Sequence, residues 1–345
     1  MEPPVSSPDS VSAKRVMADH SAPLKGKPWF LCLPLEGKVA TKSTERWRNV
    51  GAGSHARPQK GIITMIRFGP AGNSDSFYNE GYKSSLQAPK WLNEKGLSAF
   101  EYQCGNGIVV KEDTAVKLGV EAVKYDIALS VHAPYFISLA SPEEEKRKNS
   151  IRYIIDSLKV ARWMNAKRIV VHPGGASKGD RRELFELACK TMKEALDEAK
   201  NQGLDDIYIC PETMGKINQL GTVDEIIEMC KIDERLIPTL DFGHINARGL
   251  GCLKDEGDFE EIILKVKNEL GEYRGKHFHS HFSRIEFTKG GEKKHWTFAD
   301  TEYGPDFTPL ANVIKKYSLE PVIICESRGT QVEDAIQMKE ECTNE

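Results

Sequence analysis

From Thr64 onward the chain repeats one pattern eight times: a short apolar run of strand length, then a segment with apolar residues every three or four positions. The runs are TMIRFG (64–69), AFEYQC (99–104), ALSVHA (128–133), RIVVHP (168–173), DIYICPE (206–212), IPTLDF (237–242), KHFHSHF (276–282) and PVIICES (321–327). The segments that follow them include EEEKRKNSIRYIIDSLKVARWMN, DRRELFELACKTMKEALDEAKNQG and TVDEIIEMCKI. Several open on Asp, Ser or Thr, residues that cap helix N-termini. Strands apolar along their whole length are buried on both faces, and alternating amphipathic helices supply the cover. The pattern therefore requires a parallel sheet wrapped by helices. Eight units in about 280 residues match a single-domain α/β fold, the (β/α)8 TIM barrel, typically about 250 residues long. A doubly wound open sheet would place a G-x-G-x-x-G turn after its first strand, and IRFGPAGN does not supply one.

Residues 1–61 lie outside this repeat. They are rich in Pro, Ser, Lys and Ala and hold no sustained period, so a disordered extension is expected there, with the folded barrel in 62–345. No apolar run approaches the roughly 18–20 residues of a membrane-spanning helix. The run WFLCLPL at 29–35 is too short and too far from the start for a signal peptide. The eight cysteines are scattered without a C-x-x-C pair, and Cys210 and Cys325 sit inside apolar runs. Reduced, buried thiols and a cytoplasmic location follow from that. A net charge of −3 gives no global sign of a nucleic-acid binder, although an average conceals local basic patches.

In such a barrel the active site forms at the C-terminal ends of the strands. The third run ends on His132, the fourth on His172 and the fifth on Glu212. The sixth carries Asp241 with His244 just beyond, the seventh a histidine ladder, the eighth Glu326, and His295 lies in the loop after the seventh. One such residue at a strand end is commonly just a hydrogen-bonded polar group. Six consecutive strands ending this way would pack carboxylates and imidazoles together at a prohibitive desolvation cost unless cations neutralise them. Mixed imidazole and carboxylate donors suit Zn, Mn or Fe, and there are too many for one ion, so a cluster of two or three is expected.

The ladder KHFHSHFS puts His277, His279 and His281 at alternate positions, which share one face of an extended strand. His281, nearest the C-terminal end, should reach the metals. His279 and His277 should lie deeper, as core or supporting imidazoles.

At these residues the chain resembles the endonuclease IV family of apurinic/apyrimidinic endonucleases, within the xylose isomerase-like barrel superfamily. The resemblance runs from about Met65 to about Met338 through SVHAPYFISLAS, VVHPGG, the Glu-Thr of CPETMG, TLDFGHINARG, HFSRIE and IICES. It implies three zinc ions at the barrel mouth. His132, His172 and Glu212 would bind the first. Glu212 would bridge to the second, completed by Asp241, His281 and Glu326, and His244 and His295 would hold the third. Glu212 and Glu326 are the carboxylates expected to carry catalysis. The family places an Asp two residues before the last histidine, where this chain has Lys293. Glu292 or a water would have to fill that position.

The implied reaction is zinc-dependent hydrolysis of the phosphodiester 5′ to an abasic site in duplex DNA, leaving a 3′-hydroxyl, by a monomer acting in base excision repair. The loop CGNGIVV lacks the arginine with which the family probes the minor groove, whereas Tyr135 and Phe136 stand at its wedge positions, where apolar side chains can unstack bases. Lys178, Arg181, Arg182, Arg248 and Arg284 are the cations placed to meet phosphates. Two other readings compete. A sugar isomerase or epimerase of the same superfamily would use one divalent ion at Glu212, Asp241, His281 and Glu326, with no ligand role for His132, His172, His244 and His295. A non-catalytic metal or nucleic-acid binding protein draws support only from the missing third-site carboxylate and groove arginine.

Overall fold

The computed structural model describes residues 66–343. The expected extension over 1–61 and the first residues of the TMIRFG run lie outside the described residues. The strands are β1 (Arg67–Pro70), β2 (Ala99–Gln103), β3 (Ala128–His132), β4 (Arg168–Val171), β5 (Tyr208–Pro211), β6 (Thr239–Asp241), β7 (His279–Phe282), β8 (Arg284–Thr288), β9 (Gly291–Trp296) and β10 (Val322–Cys325).

Two parallel four-stranded sheets, ordered β1-β10-β7-β6 and β2-β3-β4-β5, form the barrel wall. Bridges from Ala71 to Glu101 and from Glu212 to Thr239, both parallel, join the sheets at their two seams. The ring therefore closes with eight parallel strands, and β10 is its eighth member. The chain is a (β/α)8 TIM barrel in architecture.

The helices cover the wall as their periodicity demands. Helix Arg181–Asn201 buries Leu184, Phe185, Ala188, Met192, Ala195, Leu196 and Ala199, a stripe at three- and four-residue steps. Its N-cap Asp180 accepts from the backbone N–H groups of Arg182 and Glu183, an arrangement that contributes about 1 kcal/mol. Helix Val223–Cys230 opens with a reciprocal capping box between Thr222 and Glu225. The stripes pack onto buried strand residues such as Val131, Ile169, Val171 and Ile323.

Three elements depart from the sequence reading. The segment after β7 is not a plain loop: β8 and β9 form an antiparallel hairpin, and His295 sits on β9. A short helix, Phe242–Arg248, follows β6 directly, with the Asp241 carboxylate capping it by accepting from the His244 N–H at 2.7 Å. His277 does not share the face of His279 and His281. It lies outside β7, after the helix Glu272–Lys276 that runs into the strand, and its ring turns to Glu320.

Candidate metal centre

Side chains from β3, β4, β5, β6, β7 and β10, or from the residue just past each strand, converge at one end of the barrel. His172 Nε2 lies 3.0 Å and His132 Nε2 3.5 Å from Glu212 Oε2. The other oxygen of Glu212 lies 3.1 Å from His281 Nδ1 and 3.4 Å from His244 Nδ1. His281 Nδ1 is also 3.4 Å from Glu326 Oε1 and 4.0 Å from Asp241 Oδ2. Donor atoms of His132, His172 and Glu212 form one compact set, and those of Glu212, Asp241, His281 and Glu326 a second. Glu212 belongs to both.

A third set joins His244 and His295 with Glu292. The expected vacancy opposite Lys293 is filled by its neighbour, because the β8–β9 register shifts between Glu286 and Phe287, leaving Lys293 as the extra residue and bringing Glu292 and His295, three apart, to one side. Lys293 points away and pairs with Glu286 on β8. The hairpin reaches the site by a close backbone crossing. Glu292 N–H donates to Gly215 O at 3.1 Å, and Ile217 N–H donates to Gly290 O at 3.1 Å. A Cβ on Gly215 would stand 2.6 Å from Glu292 Cβ and 3.0 Å from His244 Cδ2. Gly291, at φ +86°, has its missing Cβ aimed at Gly215 O. Two glycines thus permit the third set to assemble.

The sequence reading missed Glu101, a fully buried carboxylate on the inner face of β2. It lies 3.0 Å from His279 Nε2 and 3.0 Å from His281 Nε2, and donor atoms of Glu101, His132, His281 and Glu326 form a further compact set. The signal was available: a lone charged residue interrupts the apolar AFEYQC run.

The electrostatics fit divalent cations. Burial opposes ionisation of Glu212, yet His281, His172 and His132 hold its carboxyl well below the usual range. Burial likewise opposes the charge on His281 and His244, and the surrounding carboxylates still raise both well above an ordinary imidazole. Burial lowers His172 despite Glu212. Burial, against the pull of His244, pushes Asp241 up to about 6. The raised His281 and His244 thus offset a surplus of buried carboxylate, a task that a bound cation would take over while releasing their protons. Moreover, Glu212 Oε2 and Asp241 Oδ2 are buried with no hydrogen-bond donor, although buried polar atoms normally have one. Both are left open towards the positions where ions would sit.

Tyr135 stacks on His172 at 5.5 Å between ring centroids and meets His132 edge-on, while Phe136 packs edge-on against Tyr153. Both remain about half exposed, at 54% and 51%. A hollow of about 500 Å³ beside Glu326 and His295 is lined by Gln103, Asn106, Tyr135 and Gln331. The arginines expected to meet phosphates are held by the chain itself. Arg248 donates to the carbonyls of Met214, Lys216, Ile217 and Gln219. Arg181 grips Glu225 through two hydrogen bonds, Arg182 pairs with Glu186 and Glu228, and Arg284 pairs with Asp306 and donates to Tyr303 O. Lys178 is exposed on the loop after β4. Among the described residues no helix is long and apolar enough to cross a membrane.

The comparisons with known proteins agree with this architecture. A protein of Methanocaldococcus jannaschii described as uncharacterized is 34% identical over 281 residues, 81% of this chain and 98% of its own length. A probable endonuclease 4 of Malacoplasma penetrans is 30% identical over 196 residues, covering 51% of this chain and 66% of that protein. Among solved structures, a D-tagatose 3-epimerase-like protein superposes with a TM-score of 0.60 at 22% identity, over 80% of this chain and 95% of the other, a likeness of fold alone. The family profile described as xylose isomerase-like TIM barrel matches residues 89–342. With the closed eight-stranded wall and the residues gathered at its mouth, this chain belongs to the xylose isomerase-like TIM barrel family.

Proposed function

We propose that this protein is a zinc-dependent apurinic/apyrimidinic endonuclease of the endonuclease IV type, cleaving duplex DNA 5′ to abasic sites and leaving a 3′-hydroxyl. The observation that carries the reading is the presence of three adjoining ligand sets, two sharing Glu212 and the third completed by Glu292. A mononuclear sugar isomerase needs only the set of Glu212, Asp241, His281 and Glu326. It leaves the convergence of His132, His172, His244, Glu292 and His295 without a purpose.

When bound, such ions supply Lewis acidity towards phosphoryl oxygens and bring the pKa of water near 7. The chain's own residues do the rest. Glu212 presents one oxygen to His132 and His172 and the other to His281 and His244, so it would serve as a ligand in both sets. Tyr135 and Phe136 stand at the mouth as half-exposed rings able to wedge into a base step. The amide-lined hollow beside Glu326 and His295 suits an uncharged sugar without its base. Exposed Lys178 is the remaining cation of the expected phosphate contacts. A monomer in the cytoplasm belongs to the same reading.

The test pairs metal analysis of purified protein with an abasic-duplex nicking assay and a ketose epimerisation assay. Two to three zinc ions per chain and nicking are expected, both diminished in His172→Ala. One ion per chain, turnover of a ketose and no nicking would overturn the reading in favour of the isomerase.

A further inference from the structure

Beneath the metal sets the barrel interior carries a polar column where packed aliphatic layers are usual. Glu101 on β2 is opposite Ser130 on β3 in the sheet register, and Ser130 is opposite Arg168 on β4. Ser130 Oγ donates to Glu101 Oε2 at 2.9 Å, and His279 Nε2 lies 3.0 Å from the same oxygen. Gln103 Nε2 donates to Oε1 at 3.2 Å, and His281 Nε2 lies 3.0 Å from Oε1 in a bent contact. Three donors thus hold the Glu101 carboxylate, and His281 Nε2 approaches it as a fourth contact whose angle misses a hydrogen bond, leaving that nitrogen without another partner. Glu212 Oε2 and Asp241 Oδ2, one layer above, have no donor. The contrast separates two kinds of buried carboxylate: those with one oxygen left without a donor, and one whose two oxygens both accept hydrogen bonds from protein side chains.

We infer that Glu101 is a positioning residue, which holds the proton of His281 on Nε2 so that Nδ1 is presented to the metal. The geometry of His281 carries this. Its Nδ1 faces Glu212, Asp241 and Glu326, and its Nε2 faces Glu101. A neutral imidazole has one donor and one acceptor nitrogen, so a carboxylate at Nε2 fixes the tautomer with the lone pair on Nδ1. Carboxylates that hold the remote nitrogen of a ligating histidine also raise its basicity and set its ring plane. His279 has no place in the ligand sets, and its role here is to anchor the second oxygen of Glu101. The inference rests on the site holding metal and is independent of the substrate.

Two measurements test it without DNA, so its failure is distinguishable from failure of the endonuclease reading. In protein loaded with zinc alone and labelled with ¹⁵N-histidine, long-range ¹H–¹⁵N correlation should show the His281 ring, identified by its loss in His281→Gln, protonated on Nε2 and coordinated through Nδ1. Chelator competition should show Glu101→Gln binding the same number of zinc ions at saturation, with one of them held roughly 10- to 100-fold more weakly. Coordination through Nε2, an affinity unchanged in Glu101→Gln, an ion missing at saturation (Glu101 then being a ligand itself), or no zinc uptake by the wild type would each overturn the inference. Should Glu101→Gln fail to fold, the tautomer in the wild-type protein decides alone.

Discussion

Nε2 of His244, on the helix after β6, faces Oε2 of Glu292, on the hairpin after β7, at 3.4 Å. This contact brings a carboxylate to the third ligand set from the position next to the one expected. Glu292→Gln is therefore predicted to lower the zinc count by one ion per chain. Lys293→Ala, which removes only one of the two partners of Glu286, should leave it unchanged. Elemental analysis after gel filtration decides; an ion lost from the Lys293 variant would refute the assignment.

The crossing at Gly215 makes a second prediction. A methyl group there would press on Glu292 Cβ and His244 Cδ2, so Gly215→Ala should push the hairpin outward. The fold should survive, as seen by circular dichroism, while the weakest zinc is lost at lower chelator concentration. Zinc retention equal to that of wild type would mean that Glu292 does not hold the ion.

Glu212→Gln and His279→Gln should differ in degree. Glu212 faces two ligand sets, and removing its charge weakens both; activity on an abasic duplex should fall below detection. His279 acts through Glu101, and such supporting changes typically cost about 10- to 100-fold. Equal loss in the two variants, with metal absent from both, would identify His279 as the ligand in place of His281.

Arg248 should behave as a structural residue. Four carbonyls of the loop 214–219 accept from it, and Arg248→Ala strips them of a charged donor. A loss of roughly 2–4 kcal/mol is expected, since hydrogen bonds from charged groups each contribute about 1.5–3 kcal/mol and are not additive. A variant with wild-type melting but a flattened salt dependence of DNA binding would instead mark a phosphate contact.

The Arg181–Glu225 pair predicts a pH dependence. Burial raises the Glu225 carboxyl, but Arg181 and the N–H groups of Thr222 and Gly221 outweigh it and leave the group below its ordinary 4.5. A carboxyl depressed by folding contributes stability that is full above the unfolded value and is lost as pH falls through the folded one. Glu225→Gln should therefore melt lower than wild type at pH 7, and the gap should close as pH drops below about 4.5. A gap independent of pH would mean that packing, not charge, carries the effect.

The sequence by itself determined the architecture, because buried parallel strands and their covering helices write different periods into the chain. Runs such as RIVVHP and IPTLDF need burial on both faces, which a helix-covered parallel sheet supplies, and the count of eight units with no G-x-G-x-x-G turn after the first strand favoured the barrel over a doubly wound sheet. The same logic located the strand-end positions of His132, His172, Glu212, Asp241, His281 and Glu326, since a strand's C-terminal residue is readable once the strand is. What the tertiary structure alone decided depends on contacts between distant segments. Whether Glu292 or Lys293 faces His244 turns on the register of a hairpin that docks against Gly215, and a one-residue shift in register reverses every side chain of a strand. Whether Arg248 meets a phosphate or a loop turns on where the carbonyls of 214–219 lie. The group that His281 Nε2 faces is Glu101, which lies far away in the sequence, and only closure of the barrel brings β2 across from β7.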